Sequence, residues 1–288
     1  MNVHFLIIGD MGSGNKHQME VSKSMLHLLK KYPIKFICGL GDNIYEDGVT
    51  TIQDKKFQTH YEIPYQKIPN TIKMYMCLGN HDCHISYNPL KQGFLKNNSE
   101  IQVQYGILSQ KLGKKWFLPS NYYTFTKGNI DFFVLDTNFD ILSPEEIEKQ
   151  RQFMKNKIRS SKQKWKIIYG HHTWLSPGGH GNADQKLDEF LTDLCSEKRI
   201  HMYMCGHDHI KSFIKKQIQK KPTYLVICGT GGKVYHREFT PENIYRDNSD
   251  LEFFSPNLGV AYLKSSKDKL TIQFYNETNQ LEHTGIIS

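Results

Sequence analysis

Apolar residues along this chain fall into short runs, several of which empty onto glycine beside a polar or charged residue. Segments 3–8, 34–38, 71–78, 165–169 and 201–205 are too short and too evenly apolar for surface helices. They read as strands buried on both faces. Between the first two, segment 16–31 places Met19, Val21, Met25, Leu26, Leu28 and Leu29 at the spacing of an amphipathic helix. Another helix is expected near residues 54–61. Residues 84–120, interrupted by Pro89, Gly93, Gly106, Gly113 and Pro119, read as a loop-rich excursion over the rim of a site. Segments 122–126 and 130–136 flank Lys127-Gly128-Asn129 and predict a hairpin. Ser143-Pro144-Glu145-Glu146 has the order of a helix start, with Ser as N-cap, Pro in the first turn and acids after it. That helix is expected to run to about residue 160. A further helix is expected over 183–197, and further strands over 224–228, 259–264 and 270–275.

Early alternation of strand and helix predicts a parallel sheet with crossover helices, and the later hairpins a mixed one. The expected fold is α/β, a four-layer α/β/β/α sandwich of two mixed sheets flanked by helices. Residues 1–288 would form one domain. Ligands in such folds collect where strands open at their carboxyl ends.

Composition narrows the class. With 38% hydrophobic and 23% charged residues the chain is globular rather than disordered. Its net charge of +8 comes from scattered lysine pairs such as Lys55-Lys56 and Lys114-Lys115, without a dense basic arm. This favours a plain solvated lysine-rich surface over the sharper reading, a field that draws in anionic substrates such as phosphates, or nucleic acid. The expected partner is a small phosphorylated substrate or phosphopeptide, with nucleic acid not favoured. The first apolar run is too short for the core of a signal peptide, and nothing approaches the roughly 18 apolar residues of a membrane span. A cytoplasmic monomer without a membrane partner is expected. Cys38, Cys77, Cys205 and Cys228 abut apolar runs and read as buried reduced thiols.

The strand ends carry the chemistry. In order they are Gly9-Asp10, Gly41-Asp42-Asn43-Ile44-Tyr45, Gly79-Asn80-His81-Asp82, Gly170-His171-His172 and Gly206-His207-Asp208-His209. A lone Gly-Asp is a turn. Carboxylates, a phenol, an amide and imidazoles recurring at the ends of separate strands are instead a donor set for two cations. Two cations about 3.5–4 Å apart can clamp a phosphate, turn a bound water into hydroxide and steady an in-line displacement. There is no Gly-Lys-Ser/Thr phosphate loop and no Gly-x-Ser-x-Gly nucleophile elbow.

At these residues the chain resembles the calcineurin-like metallophosphoesterases, and among them the small, single-domain purple acid phosphatases. The five blocks stand in the family's order between residues 9 and 209, and Tyr45 lies three after Asp42 as in the purple branch. The resemblance implies that Asp10, Tyr45 and His209 hold Fe(III), while Asn80, His171 and His207 hold a divalent ion (Fe, Zn or Mn). Asp42 would bridge the two. It further implies that His81 touches the phosphate and protonates the leaving group, and that His180 is a second substrate-side histidine. The implied activity is hydrolysis of phosphate monoesters. A Mn- or Zn-dependent phosphodiesterase or nuclease of the same fold, and a non-catalytic binding scaffold, are the alternatives. The chain departs from the family pattern at Met11, where Trp is usual, and at His172-Thr173, where Tyr-Pro is usual. Asp82 and Asp208 are expected to orient neighbours or cap turns. His84, His172 and His236 are expected at the rim rather than on metal, and Gly229-Thr230-Gly231-Gly232 as a turn near the site.

Overall fold

The computed structural model describes residues 2–83, 87–88, 93–94, 98–218, 221–234 and 250–288; His84 and His236 lie outside them. In chain order the elements are β1 (His4–Ile8), α1 (Lys16–Lys31), β2 (Phe36–Gly39), β3 (Lys73–Met76), β4 (Tyr87–Asn88), β5 (Gly93–Phe94), α2 (Ser99–Lys111) and β6 (Trp116–Phe117). Then come β7 (Tyr123–Lys127), β8 (Ile130–Val134), α3 (Pro144–Ser160), β9 (Trp165–Tyr169), α4 (Gln185–Glu197) and β10 (Met202–Cys205). The chain closes with β11 (Lys211–Ile218), β12 (Lys221–Cys228), β13 (Leu251–Ser255), β14 (Gly259–Ser265), β15 (Leu270–Asn276) and β16 (Leu281–Ile287).

Two seven-stranded sheets result, ordered β16-β15-β14-β1-β2-β3-β6 and β13-β11-β12-β10-β9-β8-β7. Each is mixed. β1, β2, β3 and β6 run parallel in the first, and β8, β9, β10 and β12 in the second. The rest pair antiparallel, as later hairpins should. This is the α/β/β/α sandwich expected above.

The apolar runs are continuous because both faces are covered. In the second sheet Phe132, Val134, Ile167, Tyr169, Met202, Met204 and Val226 point between the sheets. Alternate residues Phe133, Ile168, Tyr203, Cys205, Leu225 and Ile227 pack beneath α3 and α4, against Met154, Ile158, Leu187, Phe190, Leu191 and Leu194. Phe132 makes edge contacts across the gap with Phe5 and Phe36 at 5.3 and 5.6 Å, locking the two layers together. α3 begins with the expected cap: Glu146 N–H donates to Ser143 Oγ at 3.3 Å, and Ser143 N–H to Glu146 Oε2 at 2.8 Å.

Two expectations are corrected. Residues 54–61 do not form an ordinary helix; Phe57–Glu62 is a wider π-type turn, with Ile63 N–H donating to Gln58 O at 2.9 Å. The excursion over 84–120 contains the helix α2 and the strand β6. Gly106, taken as a breaker, sits inside α2 because a Cβ there would lie 2.4 Å from Leu118 O. The glycine lets helix and strand approach. The buried side of α2 is Gln102, Tyr105 and Ser109 rather than an apolar stripe, so periodicity had nothing to find. All six cysteines are free and buried.

Candidate metal centre

Five parallel strands aim their carboxyl ends at one place. Asp10 follows β1, Asp42 follows β2, Asn80 follows β3, His171 follows β9, and His207 and His209 follow β10. The sheets are tied together there by Gly9 N–H donating to Cys228 O at 2.7 Å. Asp10, Asp42 and His207 adopt left-handed backbone angles, φ +54°, +49° and +69°. For residues with a Cβ that conformation costs of order 1 kcal/mol or more, and such strain persists where the surroundings over-determine it. Glycine makes the closure possible. A Cβ at Gly206 would stand 2.3 Å from Asp10 Oδ2, and one at Gly79 2.2 Å from Asp42 Oδ1.

Two groups of donor atoms converge. In the first, Tyr45 OH lies 2.9 Å from Asp10 Oδ1 and 3.2 Å from His209 Nε2, and His209 Nε2 lies 3.4 Å from Asp10 Oδ1. In the second, Asn80 Oδ1 lies 3.0 Å from both His171 Nε2 and His207 Nδ1, which are 3.2 Å apart. Asp42 stands next to them, its Oδ1 3.4 Å from His171 Nε2. Asp10, Asp42 and His171 are all buried, with donor atoms within 4.8 Å of one another.

With His171 neutral, the second group does not satisfy itself. His171 Nδ1 donates to Leu40 O at 2.8 Å, so in the neutral ring Nε2 presents a lone pair. That lone pair faces the oxygens of Asn80 and Asp42 and the Nδ1 of His207. Acceptors packed this closely require a positive charge between them: a proton on His171 Nε2, or a cation in its place. Burial alone would lower the His171 pKa, yet the adjacent Asp42 carboxylate raises it to about 9. Burial and the charge on His171 lower the His207 pKa far below the usual imidazole value. Burial, reinforced by Asp10 and Asp42, pushes the Tyr45 phenol well above its usual range, and only a strongly charged ion would reverse that. Oxygen-rich Asp10, Tyr45 and His209 suit a hard ion, and Asn80, His171 and His207 a borderline divalent one. The residues fit a pair of metals.

Around them stand supports. Asp82 accepts from Asn43 N–H, Ile44 N–H, Gly79 N–H, Asn43 Nδ2 and Gln102 Nε2 at 2.8–3.1 Å, clamping the Asp42 turn to the Asn80 turn. Asp208 accepts from His180 N–H at 2.8 Å and from Ser176 Oγ. Both carboxylates therefore hold turns. Thr137 Oγ1 accepts the N–H groups of His171 and His172 at 3.1 Å and meets His172 Nδ1 at 2.8 Å. Nothing in the sequence marked Thr137 for that task.

The side chain of His81 is about a third exposed, at 32%, with Nε2 4.0 Å from Asp42 Oδ2 and Nδ1 bonded to Glu46 O. The ring of His180 stacks on that of His207 at 4.0 Å. Both His180 and His172 line a cavity of about 290 Å³ with Thr137, Phe139, Asp140 and Leu187. Burial, with the neighbouring charge of His171, lowers the His172 pKa to about 3, so it stays neutral at the rim.

Known proteins resemble the chain over nearly its whole length. Purple acid phosphatase 4 of Arabidopsis thaliana is 26% identical over 303 residues, spanning 98% of this chain and 82% of that protein. Tartrate-resistant acid phosphatase type 5 of Homo sapiens is 23% identical over 303 residues, spanning 94% and 86%. Among solved structures, purple acid phosphatase PPD1 from yellow lupin seeds superposes with a TM-score of 0.76 at 19% identity, over 100% of this chain and 54% of that one. GAP50, the anchor in the inner membrane complex of Plasmodium, superposes with a TM-score of 0.82 at 20% identity, over 100% and 89%. These superpositions speak for the fold. The sequence profile of the calcineurin-like phosphoesterases matches residues 3–211, a span holding every donor described above, and the chain belongs to that family.

Proposed function

We propose that the protein is a dimetal phosphomonoesterase of the purple acid phosphatase type. The observation that carries the reading is the pair of donor groups on either side of Asp42: Asp10, Tyr45 and His209 for Fe(III), and Asn80, His171 and His207 for a divalent Fe, Zn or Mn ion. When bound, the two ions would supply Lewis acidity and a nucleophile derived from water. The chain's own groups do the rest. Asp42 holds the two halves of the site in register. His81, with Nδ1 anchored on Glu46 O, turns Nε2 toward Asp42 and is placed to give a proton to the departing alkoxide. A positioned acid of this kind contributes typically about 10²–10⁴-fold. His180, against His207, bounds the substrate side.

The test is direct. Protein from iron-replete cells is analysed for metals, scanned in the visible and assayed with p-nitrophenyl phosphate, its bis ester and DNA. A tyrosinate-to-iron band that Tyr45→Phe abolishes, with monoester turnover dominant, is the expected result. Dominant diester or DNA cleavage would replace the reading with the nuclease alternative suggested by the +8 charge. The likeness to GAP50 suggests a binding scaffold as the other reading, and it predicts metal-loaded protein without turnover.

A further inference from the structure

One loop and one lysine that this reading leaves unused lie against the metal centre. After β12 ends at Cys228, Gly229-Thr230-Gly231-Gly232 crosses the Asp10 turn. Two of its donors are already committed. Gly229 N–H donates to Ile210 O and Gly231 N–H to Gly9 O, both at 3.0 Å. The loop acts as a buttress instead: a Cβ at Gly229 would lie 2.8 Å from Asp10 Oδ2, and one at Gly232 2.6 Å from Ser13 Oγ. What it delivers is Lys233. The Lys233 ammonium ion-pairs with the Glu46 carboxylate and lies 4.3 Å from the centroid of the Tyr45 ring. Other lysines here lie over rings, Lys31 at 5.2 Å from Tyr32 and Lys127 at 5.0 Å from Tyr75. Lys233 is nearer, is fixed by a carboxylate, and covers the ring whose oxygen belongs to the donor set.

We propose that Lys233, held by Glu46, is a tuning residue of the metal centre whose charge sets the energy of the Tyr45 tyrosinate bound to iron. The inference rests on the purple acid phosphatase reading. Light absorbed by a tyrosinate–iron(III) pair moves electron density from the ring toward the ion. Here that density leaves the space beneath an ammonium, which stabilises the state before transfer more than the state after it. With Lys233 present the band therefore lies at higher energy.

The experiment compares visible spectra of iron-loaded wild type, Lys233→Met, Lys233→Arg and Glu46→Gln, each normalised to bound iron. Lys233→Met is expected to move the maximum to longer wavelength by on the order of 10 nm, the scale a close cation–π contact sets for a visible transition, with absorbance per iron unchanged. Lys233→Arg keeps the charge and should return the maximum toward wild type. Glu46→Gln releases the ammonium and should shift the band part of the way. A structural role for Lys233 would change iron content, not the position of the band. Coloured Lys233→Met protein with an unmoved maximum overturns this inference and leaves the purple reading standing, as does an arginine variant that shifts as far as the methionine one. Iron-loaded wild type without colour overturns both.

Discussion

A single methyl group on Gly79 tests whether the donor geometry itself produces activity. In Gly79→Ala the new Cβ would stand 2.2 Å from Asp42 Oδ1 and 2.3 Å from Asp42 N, where ordinary contact begins near 3.4 Å. Something must move by about 1 Å. The backbone of Gly79 is tied to Asp82 Oδ2 at 2.8 Å, and the turn after Asp42 is tied to the same carboxylate through Asn43 and Ile44. The clash falls on both the Asp42 amide nitrogen and its carboxylate, so Asp42 itself must shift against those ties. Overpacking of this kind costs about 1–3 kcal/mol. A displacement of about 1 Å in a group that positions the reaction costs on the order of 10² in rate. Gly113→Ala is the control: its φ is +66° and nothing lies within 4 Å of a Cβ there. It should lose about 1–2 kcal/mol of stability from left-handed strain alone. At roughly 2–4 °C per kcal/mol for a large domain, both variants show in a thermal melt. Only Gly79→Ala should lose turnover of p-nitrophenyl phosphate, by roughly 100-fold in kcat at full metal loading. Wild-type turnover from metal-loaded Gly79→Ala would refute the claim that these loops are closed to within an ångström around Asp42.

Other expectations follow from the same contacts. Asp82→Asn turns one acceptor oxygen into a donor facing N–H groups, so the fold should lose at least about 1–3 kcal/mol in urea titrations, and unchanged stability would dismiss the clamp. Chelation should lower the melting temperature and metal return should restore it, by about 4 kcal/mol when the ion is present at 1,000 times its Kd; a metal-independent melt would speak against the donor set. Burial, helped by Arg199 and Lys166, lowers the His201 pKa to about 3, with His201 Nδ1 accepting from Lys166 N–H at 3.2 Å. The unfolded chain, near pKa 6.5, therefore binds a proton between about pH 6.5 and 3 that the folded chain refuses. Stability contributed by the neutral ring is present above that window and falls as pH drops through it, at up to about 1.4 kcal/mol per pH unit. His201→Gln keeps an acceptor for Lys166 and should flatten the pH dependence of urea midpoints between pH 6 and 4; a slope equal to wild type would show that His201 is not responsible.

The order of the inner parallel strands was legible because buried parallel strands must be apolar on both faces, which marks segments such as 165–169 without reference to anything else. The helix over Lys16–Lys31 and the Ser143 cap were equally local, since periodicity and capping chemistry are written within one or two turns. The donor side chains could be found for a related reason: a strand that ends in glycine followed by Asp, Asn or His declares both its turn and its chemistry. What stayed hidden depends on neighbours distant in the chain. The helix α2 buries Gln102 and Tyr105 instead of an apolar stripe, and Gly106 reads as a breaker until Leu118 O is seen against it. The strand β11 opens with buried Lys211, whose ammonium is accepted by Leu258 O at 3.0 Å and pairs with Glu282 at 2.6 Å, so its polar start disguised a central strand. Lys233 lies 188 residues from Tyr45, and no local pattern pairs an ammonium with a ring that far away. Sequence alone determined which side chains end the strands, because local backbone chemistry decides that. Only the packing of two sheets decided which atoms meet and which loops may touch, because those distances belong to no single stretch of chain.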